Sequence, residues 1–269
     1  MMKNKIFINS KTVYATYCFD DTPPATLDTQ HCHDTYEILY IVSGSGKYIV
    51  ESNVYDIKPG TVMLIPPCAY HSVSLDLTKP YERYVVNFST AGLLGESVAM
   101  LERSLNEDST AVGRYYPPGA LTRDTLNIFE RFENAVAMHI SNRAVYGKSL
   151  LSELLVLLSI SSGERMRQDD EELGARVIRY LNINIEKNIS LDKLAKIFFV
   201  SKYYLCRAFK KRNGISVHGY INQKRVMYAK QLIEAGEPAS VAAYRVGFGD
   251  YSSFYRAYIK YVGTSPTGL

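Results

Sequence analysis

Two short pieces near the end of the chain repeat one another. "RAFKKRNGIS" (207–216) and "RAYIKYVGTS" (256–265) share an arginine, an alanine, an aromatic, a lysine, a glycine and a serine in register, 49 residues apart. Each follows a short apolar stretch that contains alanine, "KLAKIF" and "VAAYRV". That order, short helix, turn and second helix, is a helix-turn-helix unit written twice. Ala195 and Ala243 stand where the two helices of each unit cross closely. From Ala195 to Leu205 is ten residues and from Ala243 to Phe254 eleven, so the second turn is one residue longer, with Gly247 and Gly249 to bend it.

The rest of 173–269 is helical in pattern. "LGARVIRYLNINIE" is amphipathic, Ser190 and Ser201 are placed to cap "LDKLAKIFF" and "KYYLCRAFKKRN", Gly214 closes the latter, and a long helix runs from Val217. Helical spacing turns Leu205, Ala208 and Phe209, and in the second copy Phe254, Ala257 and Tyr258, toward a core. The opposite faces then carry Lys202, Tyr203, Cys206, Arg207 and Lys210 in the first copy, and Tyr251, Ser252, Tyr255 and Arg256 in the second. Such a helix fits the major groove of double-stranded DNA, where arginine can bond guanine O6 and N7 in bidentate fashion. Two units about one helical turn (~34 Å) apart would read successive grooves. Charge agrees: residues 173–269 hold 16 Lys/Arg against 5 Asp/Glu, about +11 in a chain whose total is +4, so the first 172 residues are acidic by about −7.

The head differs in period. Up to about residue 115, short Val/Ile/Tyr-rich runs broken by "SGSG", "KPG" and "PPC" read as β structure of a small sandwich or barrel. Leu121, Leu126, Phe129, Phe132 and Val136 then step at helical intervals, and "KSLLSELLVLLSIS" is apolar on almost every side, so it needs cover from the barrel or from another subunit. The polar stretch 161–172 reads as a linker, which gives a first domain over 1–162, a linker over 163–172 and a second domain over 173–269. No apolar run is long enough to span a bilayer and no signal-peptide cleavage site is visible. Four cysteines without CxxC pairing suit free thiols in a reducing compartment, so the expectation is a cytoplasmic protein with no membrane partner.

Within the head, "HCHDTYEILYIVSG" places His31, His33 and Glu37 at alternate positions of an expected strand, with His71 in "PPCAYHSV" 34 residues after Glu37. Two uses stay open. The four side chains could ligate a divalent metal, or they could hydrogen-bond a polar small molecule with Tyr40 or Tyr70 stacking on it.

Over nearly its full length, 173–269 resembles the DNA-binding domain of the AraC (arabinose-operon regulator) family of transcription factors, through "LAKIFFVSKYYLCRAFKKRNG" and "VGFGDYSSFYRAYIKYVGTSP". The head is similar to the two cupin motifs: HxH, Glu37 and Gly44, then Gly60, Pro66 and His71, with Cys68 where a glycine is usual. The resemblance implies an α+β multidomain protein: a cupin-like β-barrel with dimerisation helices, then an all-α domain with two helix-turn-helix motifs. It implies a non-enzymatic regulator, an activator by expectation, that binds DNA through Tyr203, Cys206 and Arg207 and through Tyr251, Ser252, Tyr255 and Arg256. Its other partners would be a small effector, a carbohydrate by expectation, RNA polymerase and a second copy of the chain. No cofactor is required, although a divalent metal in the cupin-like site stays open. The rival reading is a metal-dependent cupin isomerase or dioxygenase with a DNA-localising tail.

Overall fold

The computed structural model describes residues 2–23, 30–51, 53–90, 93–106, 111–161, 163–167 and 172–267. The chain divides into two compact units, one of Met1–His31 with Thr35–Arg167 and one of Gln168–Leu269 with Cys32–Asp34.

The first unit is a barrel of two antiparallel sheets flanked by helices. One sheet has seven strands in the order β1 (Met2–Asn9), β2 (Val13–Asp20), β8 (Tyr81–Phe88), β3 (Tyr36–Ser43), β6 (Val62–Ile65), β9 (Ala111–Tyr116) and β10 (Glu164–Arg167). The other has three, β5 (Asn53–Ile57), β4 (Gly46–Val50) and β7 (His71–Leu75). Because side chains alternate across a strand, each strand of the large sheet feeds two cores. Leu39 and Ile41 of β3 join Tyr48, Val50, Met63 and Tyr81 inside the barrel. Ile38 of the same strand joins Val86 and Phe88 on the other face, where they pack with Phe129, Leu151 and Leu154. The elements that supply that second core are α2 (Arg123–Arg131), a 3-10 turn over Phe132–Ala137 and α3 (Ile140–Ile160).

Two features depart from the sequence reading of the head. The span taken as β structure to residue 115 contains a helix, α1 (Gly95–Asn106), before β9. The expected linker over 163–172 begins with a strand: β10 pairs with β9, Glu164 opposite Tyr115, and Met166 is fully buried in the barrel core. One buried methionine among charged neighbours gives no periodicity, so the edge strand was invisible without its partner. The remaining linker positions 168–171 lie outside the described residues. As for α3, Leu150, Leu151, Leu154, Leu155 and Leu158 are buried on its inner side, while Ile140, Val145 and Ile160 are exposed. A groove of about 720 Å³ between α1 and α3 is lined by Leu93, Leu94, Val145, Val156 and Leu157.

The second unit is all helix: α4 (Leu173–Ile183), α5 (Leu191–Ile197), α6 (Lys202–Asn213), α7 (Val217–Glu234), α8 (Ala239–Arg245) and α9 (Tyr251–Val262). The expected caps are in place. The Ser190 and Ser201 hydroxyls accept from the backbone N–H groups of Lys193 and Tyr204 at 3.1 Å, and Gly214 ends α6 in the left-handed conformation. Ser216 caps α7 and the Asp250 carboxylate caps α9. Helices α5–α6 and α8–α9 are the two helix-turn-helix units.

Candidate functional site

Helical periodicity sorts the residues of α6 and α9 as the sequence anticipates. Leu205, Phe209, Phe254 and Tyr258 are buried, with Ala257 beside them, whereas Ala208 is half-buried. None of Lys202, Tyr203, Cys206, Arg207, Lys210, Tyr251, Ser252, Tyr255 and Arg256 is buried; Tyr203 is 75% exposed and Tyr255 41%. Lys202 makes an ion pair with Asp192 of α5 at 2.7 Å, and Arg256 donates to the Ser253 hydroxyl at 3.2 Å. These are exposed contacts of little net strength, so both cations can be redirected to phosphate at small cost. Each face thus presents an arginine flanked by tyrosine at a helix surface that none of the described residues of its own unit covers.

A residue of α7 underlies the second face. The Arg225 guanidinium donates from Nε to the Ile185 carbonyl at 2.8 Å and from Nη2 to the Lys187 carbonyl at 2.7 Å, and lies 5.9 Å from the Phe248 ring. Burial pulls its pKa below the ordinary arginine value, yet the two carbonyls hold it as a cation. It ties the α4–α5 loop to α7 and to the turn before α9. Nothing local in the sequence announces this task, because both acceptors are main-chain atoms some 40 residues away.

In the head, the structure brings the three histidines together but not by the route expected. His31 and His33 are not on the strand that holds Glu37, which starts at Tyr36. Instead His31 forms an isolated antiparallel bridge with His71, with N–H to carbonyl distances of 3.0 and 2.9 Å, and the two rings stand edge to face at 4.4 Å. His71 Nδ1 sits 2.9 Å from the Ala69 carbonyl, an acceptor to which it donates its proton. Ring nitrogens of His31, His33 and His71 lie within 4.8 Å of one another.

Glu37 is bonded from two other strands. It is buried on β3, its carboxylate accepts from the Tyr48 hydroxyl and from Asn87 Nδ2, both at 3.1 Å, and Tyr48 stacks near His71 with ring centroids 6.0 Å apart. Burial, and then the Glu37 charge, raises the Tyr48 phenol well above its usual range, so it stays a proton donor. Further polar groups point into the barrel from β2 and β8, unannounced by any motif. Arg83 pairs with Asp20 at 2.7 Å and its guanidinium lies 4.5 Å from the Tyr81 ring. Burial works against the Arg83 charge, but Tyr81 and Asp20 outweigh it and its pKa is raised. Asp20 is 1% exposed and its second oxygen has no hydrogen-bond partner among the described residues. Alternation along β2 and β8 could have shown these residues facing inward once the strand register was known.

Of the two aromatic candidates for the pocket, one stands elsewhere. Tyr40 alternates to the face opposite Glu37 and packs on Phe129 at 4.9 Å, in the helix-side core, which corrects its expected stacking role. Tyr70 is 2% exposed, and its main chain is bonded to Glu51. Cys68, where a cupin motif has glycine, takes a left-handed φ of 63°. Three imidazoles this close suit a divalent ion by donor chemistry, whereas the proposed fourth ligand, Glu37, is held in its own hydrogen bonds.

Comparison with known proteins places both halves. Residues 14–145 match the family model of the AraC-like ligand binding domain, and residues 194–269 match a helix-turn-helix domain model. The chain is 24% identical over 87% of its length to the Msm operon regulatory protein of Streptococcus mutans, covering 83% of that protein. It is 26% identical over 91% of its length to the transcriptional activator RhaS of Salmonella arizonae, covering 88% of it. Among solved structures, ToxT of Vibrio cholerae is similar at 16% identity over 96% of this chain and 94% of that one, with a TM-score of 0.39, too low to carry an argument.

Proposed function

Since the chain belongs to the AraC family of DNA-binding transcription regulators, we propose that it is a cytoplasmic, effector-controlled activator that reads two successive major grooves with α6 and α9. The observation that supports this reading is the pair of arginine- and tyrosine-bearing faces left uncovered on two capped helices of a basic unit. Arg207 and Arg256 would contact guanine edges, and Lys202 and Lys210 phosphates.

The effector would be a small polar molecule of carbohydrate chemistry. His31, His33 and His71 would meet its hydroxyls, with Tyr48 and Glu37 behind them. A polyol suits this lining, because imidazole and phenol groups both donate and accept. The exposed side of α3 and the groove against α1 would take a second copy of the chain, and RNA polymerase would be the downstream partner.

The test is selection of bound sequences from a random duplex pool by the full chain, with and without a pooled sugar library. Enrichment of a site with two motifs about one helical turn (~34 Å) apart, altered by a sugar, is the expected result. Arg207→Ala should lose ~1–3 kcal/mol of discrimination at one motif, while Lys210→Ala should weaken all duplexes alike and flatten the salt slope. A chain that enriches no duplex in either condition defeats the reading.

A further inference from the structure

The turns of the two helix-turn-helix units can be superimposed residue by residue through their hydrogen bonds. In the first, Phe199 N–H donates to the Lys196 carbonyl and Val200 N–H to the Ala195 carbonyl. In the second, Gly247 N–H donates to the Tyr244 carbonyl and Phe248 N–H to the Ala243 carbonyl. Phe199 and Gly247 are therefore the same position, and both have positive φ, 54° and 96°.

Glycine takes that conformation freely, whereas phenylalanine is strained in it. The ring brings no packing to set against the strain: Phe199 is 95% exposed, the most exposed large apolar side chain among the described residues. An outlier of this kind points to a use outside the fold. What lies around it indicates the partner. Val200 and the cap Ser201 alone separate Phe199 from the first residue of α6, the helix whose face is proposed to enter the groove. Lys193 and Lys196 of α5 and Lys202 of α6 are exposed on either side, and the one nearby acid on those helices, Asp192, is paired with Lys202. The surroundings are cationic and continuous with the reading face.

We infer that Phe199 is a DNA-contacting residue of the first module, laying its ring against the sugar edge or a thymine methyl at the groove margin while the flanking lysines take phosphates. The inference rests on the proposed DNA-binding function. It also gives the first module a contact that the second lacks.

Phe199→Gly separates this role from a structural one, because the fold and the contact respond in opposite directions. Relief of the backbone should raise Tm by a few degrees. Affinity for the duplex enriched by the full chain should fall roughly tenfold, since one apolar base contact is worth about that much. The salt slope should be unchanged, because the ring neutralises no phosphate. Phe199→Tyr, which keeps a ring, should retain most of the affinity. Equal affinity of Phe199→Gly and the parent for that duplex overturns the inference while leaving the regulator reading intact. Equal affinity combined with lost transcription in a purified system overturns it in favour of a protein contact. If the parent enriches no duplex, both fall together.

Discussion

The two helix-turn-helix modules share one plan and are held differently. In the second, the turn is pressed inward: a Cβ added at Gly247 would lie 2.4 Å from the Glu186 carbonyl oxygen and 2.9 Å from Arg225 Nη2, and Phe248 lies under the Arg225 guanidinium. In the first, the equivalent turn is open and carries a bare phenylalanine. The crossing alanines follow suit, Ala243 at 1% exposure against 8% for Ala195. Duplication of a sequence motif therefore did not duplicate its surroundings. One copy spends its turn on packing against the connecting helix and the α4–α5 loop, and the other leaves its turn free to be used.

The sharpest break of this comparison is at Gly247. Gly247→Val combines a positive φ with a backbone clash and should destabilise the second module by more than about 4 kcal/mol, seen as an early separate unfolding step in calorimetry. Equal effects of valine at positions 199 and 247 would show that the two turns are packed alike after all.

Next in size is Arg225→Ala, which strands the Ile185 and Lys187 carbonyls and should cost about 3 kcal/mol. Arg225→Lys should recover only part, since an ammonium cannot span both acceptors with the same fork. Hydrogen exchange should show the loss in α8 and α9 and spare α5 and α6.

The smallest effect distinguishes the caps. The Asp250 carboxyl is held below its usual range by the Ser253 backbone N–H, whereas Ser201 caps the first module without charge. A depressed carboxyl contributes stability above its unfolded value of about 3.9 and loses it as pH falls through the lower folded value. The Tm difference between the parent and Asp250→Asn should therefore shrink from pH 5 downward, while that of Ser201→Ala stays flat. A parallel pH dependence for the two would remove the distinction.

Much of the second unit was legible in the sequence because its information is local. Ser190, Ser201 and Gly214 signal helix ends within one turn of themselves, and spacing of three and four residues separates Leu205 and Phe209 from Tyr203 and Arg207 without knowledge of any partner. The head was legible only in part. The motif brought His31, His33 and His71 to attention, but His31 and His33 were expected on a strand with Glu37, and Tyr40 was expected to stack on a ligand. In a β-structure a shift of one position sends a side chain to the other side, and the register is set by distant strands. The start of β3 at Tyr36, the pairing of β3 with β8 and the bridge from His31 to His71 decide which residues face the barrel interior.

By itself, then, the sequence determined two helix-turn-helix modules, their caps, their apolar and reading faces, and a β-rich head with clustered histidines. Each of these follows from periodicity or capping within a few residues. Only the tertiary structure decided that Arg225 anchors one module through main-chain carbonyls, that Glu37 accepts from Tyr48 and Asn87, that residues 164–167 close a sheet, and that Phe199 stands strained and bare where its counterpart is a packed glycine. Those contacts join residues far apart in the chain, and their energies depend on burial and partner geometry that no local pattern encodes.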